Sequence, residues 1–307
     1  MNKIYYEQVK LLLKVLPYVA QEEVFALKGG TAINMFVWDM PRLSVDLDLV
    51  YINFDDRDIA MQNISKALLN IKTNVLRRIE NIKVETRINS SGHEEKLIFI
   101  HQNTQVKIEV NNIMRGIIHP TNLMKISKVV QEEFGLFADM KIISIGELFG
   151  GKICAALDRQ HPRDLFDIHH MIKSGIYNNE VKEGFIAALL SHPRAIHKML
   201  NPNFHDQQVV FASQFQGMSD APFNYRDFEL TRIELINIIH TSLNEQDKEF
   251  LISFKSGYPN WDLSSINRLG DLPAVKWKLL NIRKLIQDNK VKHLELLEKL
   301  GECLKQM

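Results

Sequence analysis

Two aspartates one residue apart carry the clearest chemical signal in this sequence. Asp46 and Asp48 lie in the run Val45–Tyr51, whose apolar residues alternate as in a β-strand. Alternate strand residues point to the same face, so the two carboxylates share a face about 6–7 Å apart. Like charges this close repel each other unless a cation lies nearby. Mg²⁺ is the usual cation in such a place, because it takes a few carboxylates and keeps other positions for water and phosphate oxygens.

A glycine turn precedes this strand. Lys28–Thr31 lies between a short apolar run, Val24–Leu27, and a predicted helix, Ala32–Trp38. Gly29 and Gly30 let the backbone come close to a ligand, and a helix start offers N–H groups to an anion. Each feature alone has an ordinary explanation: a plain turn for the glycines, and a solvent-facing strand edge for the aspartates. The succession of strand, glycine turn, helix and Asp-x-Asp strand favours a binding site.

A third carboxylate is predicted on a neighbouring strand. Lys96–His101 and Gln105–Val110 flank a short turn and predict a hairpin. In the second of these strands, Lys107 and Glu109 share the face opposite to the apolar residues. Glu109 is therefore predicted to project towards the two aspartates, where a second metal ion would need a ligand. The alternative is an ordinary surface face of lysine and glutamate.

The second half of the chain contains another group of ionisable residues. Ser144–Arg159 begins with a capping-box pattern and predicts a helix, on which Lys152 and Arg159 lie on one stripe with small residues between them. A lysine and an arginine so placed can reach triphosphate oxygens. The next predicted helix starts at Pro162 and carries three charged residues: Arg163, Asp164 and Asp167. The alternative for that helix is an intrahelical salt bridge between its arginine and its second aspartate.

Length, charge and hydropathy bound the remaining possibilities. A chain of 307 residues is long enough for two domains with their own cores. Its formal net charge is +1, so nucleic-acid binding would need a local basic patch. The candidate basic residues lie mainly on the predicted helix Asp55–Glu80 and, for the last of them, on the next strand: Lys66, Lys72, Arg77, Arg78 and Arg87. The alternative is that these residues form an ordinary solvated helix face. No apolar run approaches the roughly 20 residues that cross a bilayer, and Cys154 and Cys303 are predicted to be unpaired, so we expect a cytoplasmic protein without a membrane partner.

The order of elements predicts an α+β fold in two domains. Residues 1–143 are expected to form a mixed sheet flanked by helices, and residues 144–307 a mostly helical domain. Asn111–Asp139 is predicted to be an irregular connection and Asn201–Tyr225 an irregular loop. The helices that carry Lys152 and Asp167 are expected to close a cleft.

Taken together, the motifs resemble the AbiEii/AbiGii toxin family of nucleotidyltransferases, which occurs in phage-defence and type IV toxin–antitoxin systems. The resemblance covers nearly the whole chain, and it rests on four blocks: Lys28-Gly29-Gly30-Thr31, Arg42-x-Ser44-x-Asp46-x-Asp48, Lys152-x-x-Ala155-x-x-x-Arg159-x-x-x-Arg163-Asp164-x-x-Asp167 and Leu272-Pro273-Ala274-x-x-Trp277-Lys278-x-x-Asn281. The first two blocks alone indicate only the wider polymerase-beta-like superfamily. The third block narrows the resemblance to the AbiEii/AbiGii family.

The resemblance implies a role for each block. Nucleotide contacts would come from the glycine turn and the serine before the aspartates: Gly29, Gly30, Thr31 and Ser44. Mg²⁺ would be held by carboxylates on the sheet: Asp46, Asp48 and Glu109. Lys152 would bind the triphosphate and Asp167 would orient or activate the acceptor hydroxyl, with three supporting residues: Arg159, Arg163 and Asp164.

The implied activity is Mg²⁺-dependent transfer of a nucleoside monophosphate from an NTP to an acceptor hydroxyl. The resemblance favours RNA as the acceptor, in particular the 3′ end of tRNA. Two alternatives stay open: modification of a protein or small molecule by the same site, and an inactive nucleotidyltransferase scaffold that only binds. A toxin of this kind implies an antitoxin encoded nearby without a stable complex, and we expect a monomer.

Overall fold

The computed structural model describes residues 3–89, 92–219 and 221–307. Its chain divides into two units. Unit 1 comprises Met1–Ser144 and the short segment Gly217–Pro222, and unit 2 comprises Ile145–Gln216 and Phe223–Met307. Within the described ranges, no helix is long and apolar enough to span a bilayer.

Unit 1 combines a mixed sheet with a few helices. Its strands are β1 Phe25–Lys28, β2 Asp46–Tyr51, β3 Ile82–Ile88, β4 Glu94–His101, β5 Thr104–Val110, β6 Asn122–Lys125 and β7 Asp139–Ile142. Its helices are α1 Lys3–Ala20, α2 Gly29–Ala32, which continues as the π-helical turn Ile33–Val37, α3 Arg57–Arg78 and α4 Lys128–Phe134.

The strands form one sheet in the order β3-β4-β5-β2-β1-β7-β6. The central strand β2 pairs antiparallel with β1 and parallel with β5. One face is fully buried, with Leu47, Leu49 and Ile108 at 0% exposure, and α1 and α3 contact β5 and β4. Because side chains alternate along a strand, the charged residues between these apolar ones emerge on the other face.

Two parts of unit 1 differ from the sequence predictions. The predicted connection Asn111–Asp139 was wrong, because it contains β6 and α4. β6 is a four-residue strand with mostly exposed side chains, so it has no alternating apolar pattern. The helix predicted to end near Pro17 continues to Ala20, since the buried neighbours Leu16 and Val19 keep this turn helical despite the hydrogen bond that proline cannot donate.

Unit 2 is helical, as predicted for the second half of the chain. Its helices are α5 Ile145–Arg159, α6 Pro162–Lys173, α7 Asn179–Ser191, α8 Ile196–Leu200, α9 Gln208–Gln214, α10 Tyr225–Ser242, α11 Glu245–Lys255, α12 Pro273–Asp288 and α13 Lys290–Lys305. The loop predicted over Asn201–Tyr225 was wrong at α9, whose residues include no buried side chain that would have given an apolar period. The predicted α+β class is confirmed.

Glycines bring α5 and α7 into backbone contact. A Cβ on Gly150 would lie 2.2 Å from the carbonyl carbon of Gly184, and one on Gly184 would lie 2.1 Å from the carbonyl oxygen of Gly146. No side chain fits at such distances, so the contact requires glycine at these positions. Gly151, the next residue along α5, has open space where its Cβ would be. The contact fixes the helix that carries Lys152.

Lys278 closes the carboxyl end of α7. Its Nζ donates to three backbone carbonyls, those of Leu189 at 2.9 Å, His192 at 2.7 Å and Arg194 at 3.1 Å. Burial lowers the pKa of Lys278 to about 8. The lysine of the last sequence block therefore binds one carbonyl in the last turn of α7 and two in the segment that follows this helix.

Candidate active site

The glycine turn lies directly against one carboxylate of the sheet. The helix starts at Gly29 rather than at the predicted Ala32, and Gly29 has a φ of +75°. A Cβ at this residue would lie 2.6 Å from Oδ2 of Asp48. Glycine is needed here for both the left-handed backbone and the close approach to the carboxylate.

The next residues hold the start of β2 in place. A Cβ on Gly30 would lie 2.8 Å from Nη2 of Arg42 and 2.9 Å from Oγ of Ser44. Thr31 is fully buried; its hydroxyl donates to the carbonyl of Asp46 at 2.5 Å and lies 3.0 Å from Oγ of Ser44. The Thr31 hydroxyl is thus bonded to the backbone that carries the first aspartate, and any anion contact of this turn falls to its backbone N–H groups.

The strand registers place the ionisable residues in rows across the sheet. Lys28 on β1 pairs with Asp48 on β2, Asp48 with Glu109 on β5, and Glu109 with Lys96 on β4. One step along, Asp46 pairs with Lys107. Paired residues of adjacent strands point to the same face. The structure therefore places Glu109 on the strand next to the aspartates, on the face that the alternation predicted.

Lysines bind these carboxylates at the surface of the sheet. Lys107 Nζ lies 3.4 Å from Asp46 Oδ2 and 3.4 Å from Glu109 Oε2, and Lys96 Nζ lies 3.0 Å from Glu109 Oε2. The side chains of Asp46 and Glu109 are 44% and 43% exposed. The face is therefore open to water and to exchange of ions.

The charges of this face shift the pKa values of its members. Burial lowers the pKa of Lys28, against the opposing effect of Asp48 and Glu109. Partial burial alone would lower the pKa of Lys107, but Asp46 and Glu109 raise it overall. Partial burial would raise the pKa of Glu109, but the hydrogen bond and charge of Lys96, together with Lys107, lower it. Lys107 and Glu109 therefore favour each other's charged forms, whereas burial opposes the charged form of Lys28.

The donor set fits a divalent cation in part. Asp46 and Asp48 offer hard oxygen ligands from one strand face, the kind that Mg²⁺ takes alongside water and phosphate. The carboxylate of Glu109 is bonded to two lysines. Across the residues that the structure describes, no three His, Cys, Asp or Glu side chains converge on a point that could hold a metal ion. The residues present therefore fit a divalent cation that is held by two carboxylates, those of Asp46 and Asp48.

A second ionic cluster lies inside unit 2, between α5 and α6. Lys152 Nζ lies 3.0 Å from Asp164 Oδ1 and 3.0 Å from Asp167 Oδ2. The side chains of Lys152, Asp164 and Asp167 are 7%, 5% and 0% exposed. Arg159 donates to both oxygens of Asp164, at 2.9 and 3.2 Å, from a side chain that is 62% exposed. Arg163 is exposed on α6, whereas the carboxylate that shares its helix face, Asp167, pairs with Lys152.

The sequence reasoning missed three site features. Lys96 and Lys107 were not predicted to bind the carboxylates, although the position of Lys107 two residues from Glu109 on a strand was a signal for a shared face. Lys152 was considered for phosphate but not as the partner of both aspartates on α6. Arg42 was quoted in a motif without a role; it is buried, donates to the carbonyl of Leu43 at 2.9 Å, and lies against Gly30.

A glycine turn packed against a carboxylate pair on the open face of a mixed sheet, followed by a helical unit, is the arrangement of a nucleotidyltransferase. The family model described as "Nucleotidyl transferase AbiEii toxin, Type IV TA system" matches residues 10–279. The chain belongs to this family of nucleotidyltransferase toxins, and it is therefore an enzyme of that class, for which the family implies an NTP substrate and an antitoxin.

Solved structures share the fold. One of them is MenT4, a nucleotidyltransferase toxin from Mycobacterium tuberculosis H37Rv, with a TM-score of 0.56 and 14% sequence identity over 91% of this chain and 93% of that chain. At this identity the likeness concerns the fold alone. A comparison with curated protein sequences gave no match.

Proposed function

We propose that the protein transfers a nucleoside monophosphate from an NTP to a hydroxyl of RNA, with the 3′ end of tRNA as the favoured acceptor, and that the reaction depends on Mg²⁺. The observation that carries the proposal is the exposed Asp46–Asp48 face packed against the Gly29–Gly30 turn. Such a surface pairs hard oxygen ligands with backbone N–H groups, which together suit a metal-bound triphosphate.

Nucleotidyl transfer is an in-line displacement at the α-phosphorus, and its rate depends on positioning and charge neutralisation. Mg²⁺, when bound, supplies neutralisation of the phosphate charge. Asp46 and Asp48 hold it, and the glycine turn orients the phosphates through backbone N–H groups. Thr31 and Ser44 position β2 through their hydrogen bonds at its start. Lys28, beside Asp48, adds a cation at the same row.

The roles proposed for unit 2 come from the family resemblance. Lys152 would neutralise triphosphate charge and Asp167 would orient the acceptor hydroxyl. In the structure these two side chains bind each other, so we propose that they act as a coupled pair, in which Lys152 fixes the direction of the Asp167 carboxylate. Arg159 and Asp164 extend the pair, and exposed Arg163 is available to an anionic acceptor.

The test is transfer of label from each of the four α-³²P-NTPs to purified tRNA, tRNA lacking its 3′ terminal nucleotide, total RNA and total protein, with Mg²⁺ or EDTA. We expect label on RNA with one preferred nucleotide, abolished by EDTA. Label on protein alone would instead support modification of a protein. No transfer to any acceptor from any NTP would support a binding scaffold.

We also infer from family membership that the antitoxin is encoded nearby, acts without a stable complex, and that the protein works in phage defence in the cytoplasm as a monomer. Size-exclusion chromatography of the protein, alone and with its neighbouring gene product, tests the monomeric state and the absence of a stable complex. Co-elution in one peak would contradict the absence of a stable complex.

A further inference from the structure

Lys107 occupies an unusual place for a lysine beside a candidate metal site. Its Nζ lies 3.4 Å from both Asp46 Oδ2 and Glu109 Oε2 and so bridges carboxylates of two adjacent strands. Lys96 binds Glu109 from the far side, at 3.0 Å. Two ammonium groups therefore bind the same oxygen of Glu109, Oε2, while its side chain stays 43% exposed, and one of the two, that of Lys107, also binds Asp46.

The charges decide how many cations this face can take. Three carboxylates supply three negative charges, and a lysine stands beside each of them: Lys107 between Asp46 and Glu109, Lys96 at Glu109 and Lys28 in the row of Asp48. A second divalent ion between Asp46 and Glu109 would need their oxygens at about 2.0–2.1 Å. It would therefore have to displace Lys107 and place a double charge within a few ångströms of both ammonium groups. The two ion pairs of Lys107 are with Asp46 and Glu109, so Lys107 bridges β2 and β5 rather than the two aspartates of β2.

We propose that Lys107 takes the place of a second metal ion between Asp46 and Glu109, so that the site takes a single divalent cation, held by Asp46 and Asp48. This rests on the proposed function for the metal-binding role of the aspartates. Glu109 then serves as the anchor that holds Lys107 in position, and Lys96 completes that anchor. Lys107 is a positioning residue, because it contacts the ligands and not the reacting atoms.

The test counts metal ions directly, by titrating Mn²⁺ into the full-length protein and measuring free Mn²⁺ by electron paramagnetic resonance, with and without a non-hydrolysable NTP analogue. We expect one tight ion per wild-type chain. Lys107→Met removes the competing charge, and we expect either a second ion per chain or affinity raised at least tenfold. Lys83→Met, which removes an exposed lysine of β3, is the matched control and leaves the count and the affinity unchanged.

A second variant keeps the proposal testable if Lys107→Met does not fold. Glu109→Gln removes a charge from the anchor but not from the proposed ligand pair, so we expect the count to stay at one. Four outcomes would each overturn the proposal. They are two Mn²⁺ ions per wild-type chain, a count that falls with Glu109→Gln, a Lys107→Met protein that binds Mn²⁺ as the wild type does, and no Mn²⁺ binding by the wild type.

Failure of the proposed function gives a different pattern. If one Mn²⁺ binds and is lost in Asp46→Asn, while no NTP yields a transferred product, the metal count stands and the nucleotidyl-transfer assignment falls. If transfer to RNA is seen but two ions bind to the wild type, the assignment stands and the role of Lys107 falls.

Discussion

The two ionic clusters of this protein use the same side chains in opposite environments. On the sheet of unit 1, Lys107 and Asp46 are 35% and 44% exposed; inside unit 2, Lys152 and Asp167 are 7% and 0% exposed. Exposed ion pairs contribute roughly 0–1 kcal/mol to stability and exchange partners readily. Breaking a buried pair by removing one partner costs about 3–5 kcal/mol. Similar lysine–aspartate contacts thus form ion pairs that can exchange partners on the sheet of unit 1, and ion pairs that hold two helices together in unit 2.

The largest effect is expected on the exposed face. Asp48→Asn keeps the shape of the side chain but removes a charge from the proposed metal ligands. We expect nucleotidyl transfer to fall roughly a thousandfold or more, about 4 kcal/mol in the barrier, with a small change in melting temperature because this face packs no core. Transfer of labelled nucleotide and thermal melting, run in parallel, measure the two quantities.

Asp58→Asn is the control for this variant, since Asp58 is exposed on α3. It should leave transfer at the wild-type rate and change the melting temperature only slightly, because Asp58 lies in the first turn of α3. Transfer by Asp48→Asn within tenfold of the wild type would contradict a metal-binding role for the face.

The second expected effect is on the stability of the buried cluster. Lys152→Met removes the ammonium group that Asp164 and Asp167 share. We expect the free energy of unfolding to fall by about 3–5 kcal/mol, measured by urea denaturation. The same substitution at half-exposed Lys107 should cost less than about 1 kcal/mol. Equal losses for the two lysines would remove the distinction between the clusters.

The third effect tests what holds α5, the helix of Lys152, in place. Gly150→Ala puts a Cβ within 2.2 Å of the Gly184 backbone, and neither helix can yield without losing its packing. We expect a loss of about 3 kcal/mol, the upper range for overpacking. Gly151→Ala, one residue along the same helix, meets open space and should raise stability by about 0.5–1 kcal/mol through helix propensity. Urea denaturation of the two variants gives the comparison, and similar values for both would show that the α5–α7 contact is loose.

Local patterns predicted some of these features and could not predict others. The period of two along β2 and β5 was enough to put Asp46, Asp48 and Glu109 on one face, because alternation is a property of the strand itself. The partners of those carboxylates depend on which strands pair and in what register, and the sequence contains neither directly. For the same reason, the pairing of Lys152 with both aspartates of α6 required the angle between two helices.

The glycines show the same limit. Gly29 and Gly30 were recognised because they stand in a turn before a helix. Gly150 and Gly184 lie within helices, where a glycine usually only lowers propensity, and their role follows from a contact between residues far apart in the chain. Gly217–Pro222 belongs to unit 1, although its neighbours on both sides belong to unit 2. No local sequence pattern predicts this assignment.

The smallest effect concerns the pH dependence of α6, the helix of Asp164 and Asp167. Thr231 Oγ1 donates to the carbonyl of Asp227 at 2.7 Å, so His169 Nδ1, 3.0 Å from that oxygen, must donate to it. His169 Nε2 is then an acceptor, and it is buried with no hydrogen-bond partner among the described residues. Burial, reinforced by Lys173 and His170, lowers the pKa of His169.

The sign of the resulting effect follows from proton linkage. Below a pH of about 6.5, the usual pKa of histidine, the unfolded chain binds a proton at His169 more tightly than the folded chain does. The stability present above that pH is therefore lost as the pH falls, by at most about 1.4 kcal/mol per pH unit. His169→Asn keeps a donor to Thr231 but cannot titrate. We expect its melting temperature to fall less than that of the wild type between pH 7 and 5, roughly in this window. His205→Asn changes an exposed histidine and should follow the wild-type curve. If His169→Asn also follows the wild-type curve, the buried face of α6 does not resist protonation. The buried cluster of unit 2 would then differ less from the exposed face of unit 1 than the burial of Asp167 indicates.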